Sequence, residues 1–252
     1  MTREILVLLV VLGIAFASMP VYALVGGRKP DTLESSSRGK FVLGGFLRSW
    51  FYWAVHPVVA GSVAIGLTPT FFNLLGVAFG VAGGVAFAMG SPALGGWGIL
   101  LGGAADAIDG RIARAQGVAG PRGAFLDATL DRFAEFGVFV GLALWFRFDP
   151  VALALVVIGL GGSLTVSYAR ARGEVEGVLC TAGVMQRAER LLAIGLGGLL
   201  DPVIAPRIGD GEPGGFLFWA VALVAVGTLG TAVYRTVWIA GRLERPRDDD
   251  AG

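Results

Sequence analysis

Acidic residues recur at helical spacing in one short stretch of the chain. Asp106 and Asp109 are three residues apart, and Asp127, Asp131 and Glu135 follow at intervals of four. Residues three or four apart lie on the same face of an α-helix, so each set shares a face. We expect two antiparallel helices here that present four aspartates to one another.

Four neighbouring carboxylates repel one another unless positive charge lies between them. A divalent metal ion, or a pair of ions, supplies that charge. Ligation by oxygen alone favours hard cations such as Mg²⁺ or Mn²⁺ over zinc, and the single histidine, His56, is distant in the sequence. The alternative is an ion-pair network with basic neighbours, namely Arg111, Arg114, Arg122 and Arg132.

The composition indicates a membrane environment for the helices that carry these residues. Of 252 residues, 55% are hydrophobic and 15% are charged, whereas soluble domains average about 25% charged residues. Mean hydropathy is +0.73. The 41 glycines suit closely packed membrane helices. A disordered tail, a collagen-like repeat, a soluble globular enzyme and a disulfide scaffold are disfavoured, the last because Cys180 is the only cysteine.

Apolar runs long enough to span a bilayer, roughly 17 to 25 residues, predict an all-α integral membrane protein. The first run predicts a retained anchor and not a cleaved signal peptide, because it continues to Val25, beyond the possible small-x-small cleavage site at Ala15, Phe16 and Ala17. The predicted spans are 5–25, 69–90, 93–115, 124–148, 151–172, 188–205 and 214–240.

The segments outside these spans are polar or amphipathic. Residues 1–25 are the anchor, 26–40 a polar cytoplasmic linker and 241–252 a charged cytoplasmic tail, around a catalytic membrane domain at 69–240. Segment 41–57 carries Phe46, Trp50 and Trp53 on one helical face and predicts an interfacial helix that ends at Pro57. One side collects all Lys and Arg except Arg3, Arg147 and Arg207, so it is predicted to be cytoplasmic.

The stretch DAIDGRIARAQGVAGPRGAFLDATLD, Asp106 to Asp131, resembles the signature of the CDP-alcohol phosphotransferase family. That signature, D-x2-D-G-x2-A-R-x8-G-x3-D-x3-D, is matched at every fixed position. The resemblance covers residues 41–240. It implies a bundle of six transmembrane helices that is preceded by an interfacial helix. The predicted helix at 5–25 is then one extra N-terminal transmembrane segment. It also implies an enzyme of the inner membrane whose active site faces the cytoplasm.

Members of that family transfer a substituted phosphate from a CDP-linked lipid, such as CDP-diacylglycerol, to a polar alcohol and release CMP. By motif position, Asp106, Asp109 and Asp127 would hold a first metal ion. Asp131 would help to hold a second ion and act as general base. The resemblance assigns CDP binding to Asp106, Gly110, Ala113, Arg114 and Gly123.

Three segments, GAFLDATLDR, SYARARGEVEG and MQRAERLL, look most like bacterial phosphatidylinositol phosphate synthases, which implies inositol phosphate as the acceptor. Those relatives usually have E-R-P-E-R where this chain has QRAER at 186–190. Glycerol phosphate or an amino alcohol therefore remains an alternative acceptor. By resemblance the acceptor phosphate is held by Arg170, Arg190, Arg235 and Ser167; otherwise these arginines pair with Glu174, Glu176 and Glu189 or with lipid headgroups.

Several features remain open at this stage. Thr70 replaces the Asn or Asp that usually follows the proline at the entry to the family's first span, and Glu135 either orients an arginine or only packs. The resemblance implies membrane lipids and a second copy of the chain as partners, and no nucleic acid. Gly76, Gly80 and Gly84 are a candidate dimer face. Intramembrane carboxylates also occur in transporters, which form the competing functional class, and an inactive scaffold is the third class.

Overall fold

The computed structural model describes residues 3–25, 45–208 and 211–244. Every regular element in these ranges is helical, and a short 3₁₀ helix at Ala205–Arg207 follows the seventh α-helix. The α-helices are α1 Arg3–Val25, α2 Gly45–Ala64, α3 Pro69–Ala88, α4 Pro92–Ala115, α5 Pro121–Trp145, α6 Pro150–Val175, α7 Arg187–Ile204 and α8 Gly215–Leu243.

Proline begins four of these helices, α3 to α6. Proline suits the first helical position because its φ is already helical and its missing N–H would have no partner there. Two of the starts are also capped by a side chain. The Thr68 hydroxyl accepts a hydrogen bond from the Phe71 amide, and the Asp149 carboxylate accepts from Val151 and Ala152. The helix starts therefore follow from local sequence.

Helices α3 to α8 form a closed ring in the order α3, α4, α7, α8, α6 and α5. Each of the six packs against both of its neighbours in that order. The interior is filled by apolar side chains such as Phe87, Phe139, Leu142 and Val221, which are almost completely buried. This arrangement brings α4, α5, α6 and α7 around one common interior.

Glycines on α3 allow the helix to lie directly against α4 and α5. A Cβ at Gly76 would lie 3.3 Å from the Gly102 carbonyl oxygen of α4, and one at Gly80 would lie 3.0 Å from the Cβ of Ala134 on α5. A Cβ at Gly84 would overlap the backbone of Gly137. The prediction that these glycines form a dimer face is wrong, because they pack inside the chain.

Three helices of the described chain, α3, α6 and α8, are long and apolar enough to cross a membrane. Gly13–Leu24 within α1 is a shorter apolar segment. Charged residues on α4, α5 and α7 face one another inside the ring, as described below. The all-α membrane class predicted from composition is confirmed.

Helix α2 is longer than the predicted interfacial segment, since it continues through Pro57 to Ala64. Its second half packs on α4, where Val59 joins Ile108 and Ile112 in a small apolar cluster. Its first half contacts α1, and the Trp50 indole donates a 3.0 Å hydrogen bond to the Ser18 hydroxyl. The predicted linker at 26–40 and most of the tail lie outside the described residues.

One buried acid has a purely structural role. Asp201 is 1% exposed, and its carboxylate accepts hydrogen bonds from the amides of Gly214, Phe216 and Leu217 at 2.8 to 3.0 Å. These amides lie at the start of α8, where the first turn of a helix lacks intrahelical partners. Asp201 therefore ties the end of α7 to the start of α8.

Candidate active site

Three aspartates come together where α4 and α5 face each other. Asp106 and Asp109 lie on α4 and Asp127 on α5, and each offers a carboxylate oxygen within 4.8 Å of the other two. Asp109 is buried, and its Oδ2 has no hydrogen-bond partner within the described residues. Asn73 of α3 donates to Asp127 Oδ1 at 3.5 Å. The i, i+3 spacing on α4 thus works as the sequence predicts.

This group has the chemistry of a hard-cation site. Its donors are carboxylate oxygens alone, which suit Mg²⁺ or Mn²⁺. A buried carboxylate oxygen without a partner carries a large desolvation cost, which a cation bound at Asp109 would offset. The residues present therefore fit a divalent metal ion.

Asp131 lies next to this group and shares an arginine partner with one of its members, Asp106. Arg187, the first residue of α7, places Nη1 2.6 Å from Asp106 Oδ2 and Nη2 2.6 Å from Asp131 Oδ1. One guanidinium therefore joins an aspartate of α4 to an aspartate of α5. Arg187 comes from a third helix and was not among the arginines of the predicted alternative network.

The motif positions predicted to bind CDP form an open surface beside the aspartates. Gly110 follows Asp109 on α4, and a Cβ there would meet only the Arg114 guanidinium, at 3.5 Å. Ala113 is half-buried and Arg114 is exposed. At Gly123, near the start of α5, a Cβ would have nothing within 4 Å in the described structure. This surface leaves room for a ligand to approach the backbone.

A second charged cluster joins α5, α6 and α7. Glu135 is 4% exposed and accepts from Arg190 Nε at 2.8 Å and from Arg132 Nη1 at 3.0 Å. The same Arg132 Nη1 lies 2.6 Å from the Ser167 hydroxyl of α6. The sequence left the role of Glu135 open; in the structure it holds two arginines.

The remaining predicted acceptor residues, Arg170 and Arg235, have other contacts. Arg235 of α8 is buried and donates to the backbone carbonyls of Ala182, at 2.8 Å, and Val166, at 2.9 Å. Arg170 is 38% exposed and pairs with Glu174 on its own helix at 2.9 Å. For Arg170 the structure therefore shows the predicted alternative, an ion pair with Glu174.

Sequence reasoning missed three residues of this region. The sequence suggested Arg132 only as an ion-pair partner of the aspartates, and Arg187 appeared only within the segment QRAER at 186–190. The residues that these arginines contact lie on other helices or one turn away. Asn73 carried a usable signal, because it lies one helical turn after Thr70. Thr70 is exposed, while Asn73 supplies the polar contact to Asp127.

A cavity of about 790 Å³ lies at the other end of the ring. It is lined by the end of α5, including Trp145, and the start of α8, including Trp219. The aspartate group lies near the start of α5, so the two sites are separated by the length of that helix. The cavity contains none of the predicted site residues.

Comparisons with known proteins agree on one family. A family model for CDP-alcohol phosphatidyltransferases matches residues 66–238. The chain is similar to the phosphatidylinositol phosphate synthase of Streptomyces avermitilis, with 35% identity over 214 residues that cover 80% of this chain and 84% of that protein.

Solved structures of the Mycobacterium tuberculosis phosphatidylinositol phosphate synthase share the fold. One, with CDP-DAG bound, matches with a TM-score of 0.65 and 30% identity, covering 76% of this chain and 97% of that one. Another, in complex with manganese and citrate, matches with a TM-score of 0.66 and 30% identity, covering 76% and 92%.

Proposed function

The chain belongs to the CDP-alcohol phosphatidyltransferase family, and we propose that it transfers a phosphatidyl group from CDP-diacylglycerol to inositol phosphate. The products are phosphatidylinositol phosphate and CMP. The observation that carries this proposal is the group of Asp106, Asp109 and Asp127, which lies near a cluster formed by Glu135, the buried Arg190 and the partly buried Arg132. The relatives, named phosphatidylinositol phosphate synthases, support the choice of acceptor.

Asp106, Asp109 and Asp127 hold a first Mg²⁺ or Mn²⁺ in this proposal, and Asp131 contributes to a second. The unpartnered Asp109 oxygen supports the first assignment, as does the manganese in the solved relative. When bound, the ions neutralise the pyrophosphate and make CMP a better leaving group. Asn73 orients Asp127 through its amide.

Asp131 is the general base of the proposed reaction. It accepts the proton of the acceptor hydroxyl, whose oxygen then forms a bond to the phosphorus that carries diacylglycerol. The bond from that phosphorus to the CMP oxygen breaks, and CMP leaves with the electron pair. Arg187 holds the Asp131 carboxylate in place through the contact at 2.6 Å. A base needs only to be within hydrogen-bond reach of the hydroxyl that it deprotonates.

The substrates occupy opposite sides of this base. The CDP moiety lies on the open surface at Gly110, Ala113, Arg114 and Gly123, with Asp106 at its edge. The acceptor phosphate lies toward α6, α7 and α8. Its ligands are the acceptor residues named from the motif, namely Arg170, Arg190, Arg235 and Ser167. Guanidinium groups suit this role because they bind phosphate oxygens with two parallel hydrogen bonds.

The membrane arrangement follows the same proposal. Helices α3 to α8 are six transmembrane helices, α2 begins as an interfacial helix and α1 is an additional transmembrane anchor. The site faces the cytoplasm, where the basic residues collect. The enzyme is a homodimer in the inner membrane. Each copy of the chain has a polar cytoplasmic linker at 26–40 and a charged cytoplasmic tail at 241–252.

The test is CMP release by the protein reconstituted in vesicles with CDP-diacylglycerol and a panel of acceptors. Inositol phosphate, glycerol phosphate, inositol and an amino alcohol are compared in Mg²⁺ and in Mn²⁺. We expect release with inositol phosphate at a rate at least about tenfold above the others, a difference of about 1.4 kcal/mol. No CMP release with any acceptor would contradict the proposed reaction, and a preference for another acceptor would contradict the substrate.

A further inference from the structure

Glu135 balances only part of the positive charge around it. Each carboxylate oxygen accepts one guanidinium, Oε1 from Arg190 and Oε2 from Arg132, at 2.8 and 3.0 Å. Two arginines thus share one acid that is 4% exposed. The Arg132–Glu135–Arg190 cluster has one more guanidinium than carboxylate, and the further acid that acts on Arg132 is its neighbour Asp131. On the side of Arg190, which is almost completely buried, this favours an anion as a further partner.

Hydrogen-bond donors are also left over in this cluster. Arg190 is 1% exposed, and its Nη2 is buried without a hydrogen-bond partner among the described residues. Its Nη1 makes only a long 3.4 Å contact with the Met185 carbonyl oxygen. A buried donor without an acceptor is costly. An anion with several acceptor oxygens would satisfy these donors.

Arg132 is well placed to act with Arg190. It directly follows Asp131 on α5, so the same rigid helix carries the base and this guanidinium. Its Nη1 lies 2.6 Å from Ser167, a residue already assigned to the acceptor phosphate by motif. By contrast, Arg170 pairs with Glu174 on the surface. The contacts therefore single out Arg132 as the neighbour of Arg190.

We propose that Arg132 binds the phosphate of the acceptor together with Arg190, and that Glu135 is the positioning residue that holds both guanidinium groups. This proposal rests on the proposed function, because it takes a phosphorylated alcohol as the acceptor. It adds a residue from α5 to a site assigned above to α6, α7 and α8. Selectivity for a phosphorylated acceptor then depends on the Arg132–Glu135–Arg190 cluster.

The test measures initial rates of CMP release while inositol phosphate and CDP-diacylglycerol are varied separately. In R132Q we expect the KM for inositol phosphate to rise about tenfold or more, as the loss of a charged hydrogen bond requires. The KM for CDP-diacylglycerol should stay within about twofold, less than half a kcal/mol. R132K, which keeps the charge but loses the planar fork, should give an intermediate KM for inositol phosphate.

Glu135 has its own pair of variants, and Arg172 provides the control. E135Q should raise the KM for inositol phosphate, and E135D, which keeps the carboxylate, should restore part of the loss. R172Q removes an exposed arginine of α6 that pairs with Glu176, and it should match the unchanged protein. A thermal unfolding scan in detergent identifies any variant that fails to fold. If R132Q or E135Q does not fold, the KM values of R132K and E135D for inositol phosphate test the proposal.

Three outcomes overturn the proposal. If R132Q and R132K keep the normal KM for inositol phosphate while the unchanged protein uses that acceptor, Arg132 does not bind it and only this proposal fails. If R132Q raises both KM values equally, its role is structural. If the unchanged protein uses inositol as well as inositol phosphate, the phosphorylated acceptor itself is wrong, and the proposed function fails with it.

Discussion

The four motif aspartates differ in what they touch, and the contacts separate their roles. Asp106, Asp109 and Asp127 form one group, and Asp109 has an unpartnered buried oxygen. Asp131 is not part of that group, and the Arg187 guanidinium joins it to Asp106. Affinity for the first metal ion should therefore depend on Asp106, Asp109 and Asp127, while Asp131 carries the proton transfer and contributes only to the second ion.

Paired variants test this division. Asp109→Asn should weaken Mn²⁺ binding at least about tenfold, roughly 1.4 kcal/mol, because it removes a charged ligand. Asp131→Asn should keep binding of the first Mn²⁺ and of the CDP-lipid largely intact but lower CMP release by about a hundredfold or more, as expected for loss of a general base. Electron paramagnetic resonance measures free Mn²⁺, and the rate of CMP release measures turnover. Equal weakening of the first, tighter Mn²⁺ in the two variants would contradict the separation of Asp131 from the first metal site.

The aspartates were predictable from sequence, while most of their partners were not. Helical spacing alone groups Asp106 with Asp109 and Asp127 with Asp131. Arg187 lies 81 residues from Asp106 in the chain, so only the ring order of the helices brings the two together. The spacing of four residues placed Glu135 on the same face of α5 as Asp127 and Asp131. Its partners were not predictable, because Arg190 lies on α7 and the contact with Arg132 depends on side-chain conformation.

At the scale of helices, small residues decide how closely the backbones approach. On α3, Gly84 faces the backbone of Gly137 on α5, and a Cβ at either Gly84 or Gly141 would overlap the opposing helix. The composition showed that the chain is rich in glycine, but it did not show which helix each glycine faces. The sequence placed this face toward a second copy of the chain, whereas the structure uses it inside the ring.

Gly84→Val should therefore destabilise the bundle by about 1 to 3 kcal/mol, the usual cost of overpacking. The matched control is Gly161→Ala on α6, where an added Cβ meets nothing within 4 Å in the described chain. Thermal unfolding in detergent should show a clear loss for the first variant and almost none for the second. Unchanged stability in Gly84→Val would show that α3 and α5 are not packed through this glycine.

Helix boundaries were the most predictable part of the fold. Prolines at the starts of α3 to α6 mark them directly. Pro57 misled the prediction for α2, since the helix continues through it to Ala64. A proline inside a helix removes one backbone hydrogen bond, and packing of the residues that follow it can compensate for that loss. In α2 the residues after Pro57 pack in this way, since Val59 is buried against α4.

At the scale of the whole molecule, the acids and arginines that pair between different helices are concentrated in one part of the ring, away from the cavity at the other end. The aspartate group and Arg187 lie toward the end of α4 and the starts of α5 and α7, and Glu135 lies deeper in the ring, just past the middle of α5. A transporter would be expected to carry charges along its path through the membrane. The other buried acid, Asp201, is satisfied by backbone amides and forms no such path. This distribution favours chemistry at one membrane surface, in agreement with the family.

The central claim is that this site joins inositol phosphate to the phosphatidyl group of CDP-diacylglycerol. Its most direct test is mass spectrometry of the lipids formed by the reconstituted protein with both substrates and Mg²⁺. We expect phosphatidylinositol phosphate in amounts equal to the CMP released, and neither product with a metal chelator or with Asp131→Asn. CMP release without that lipid, or equal lipid formation by Asp131→Asn, would contradict the account.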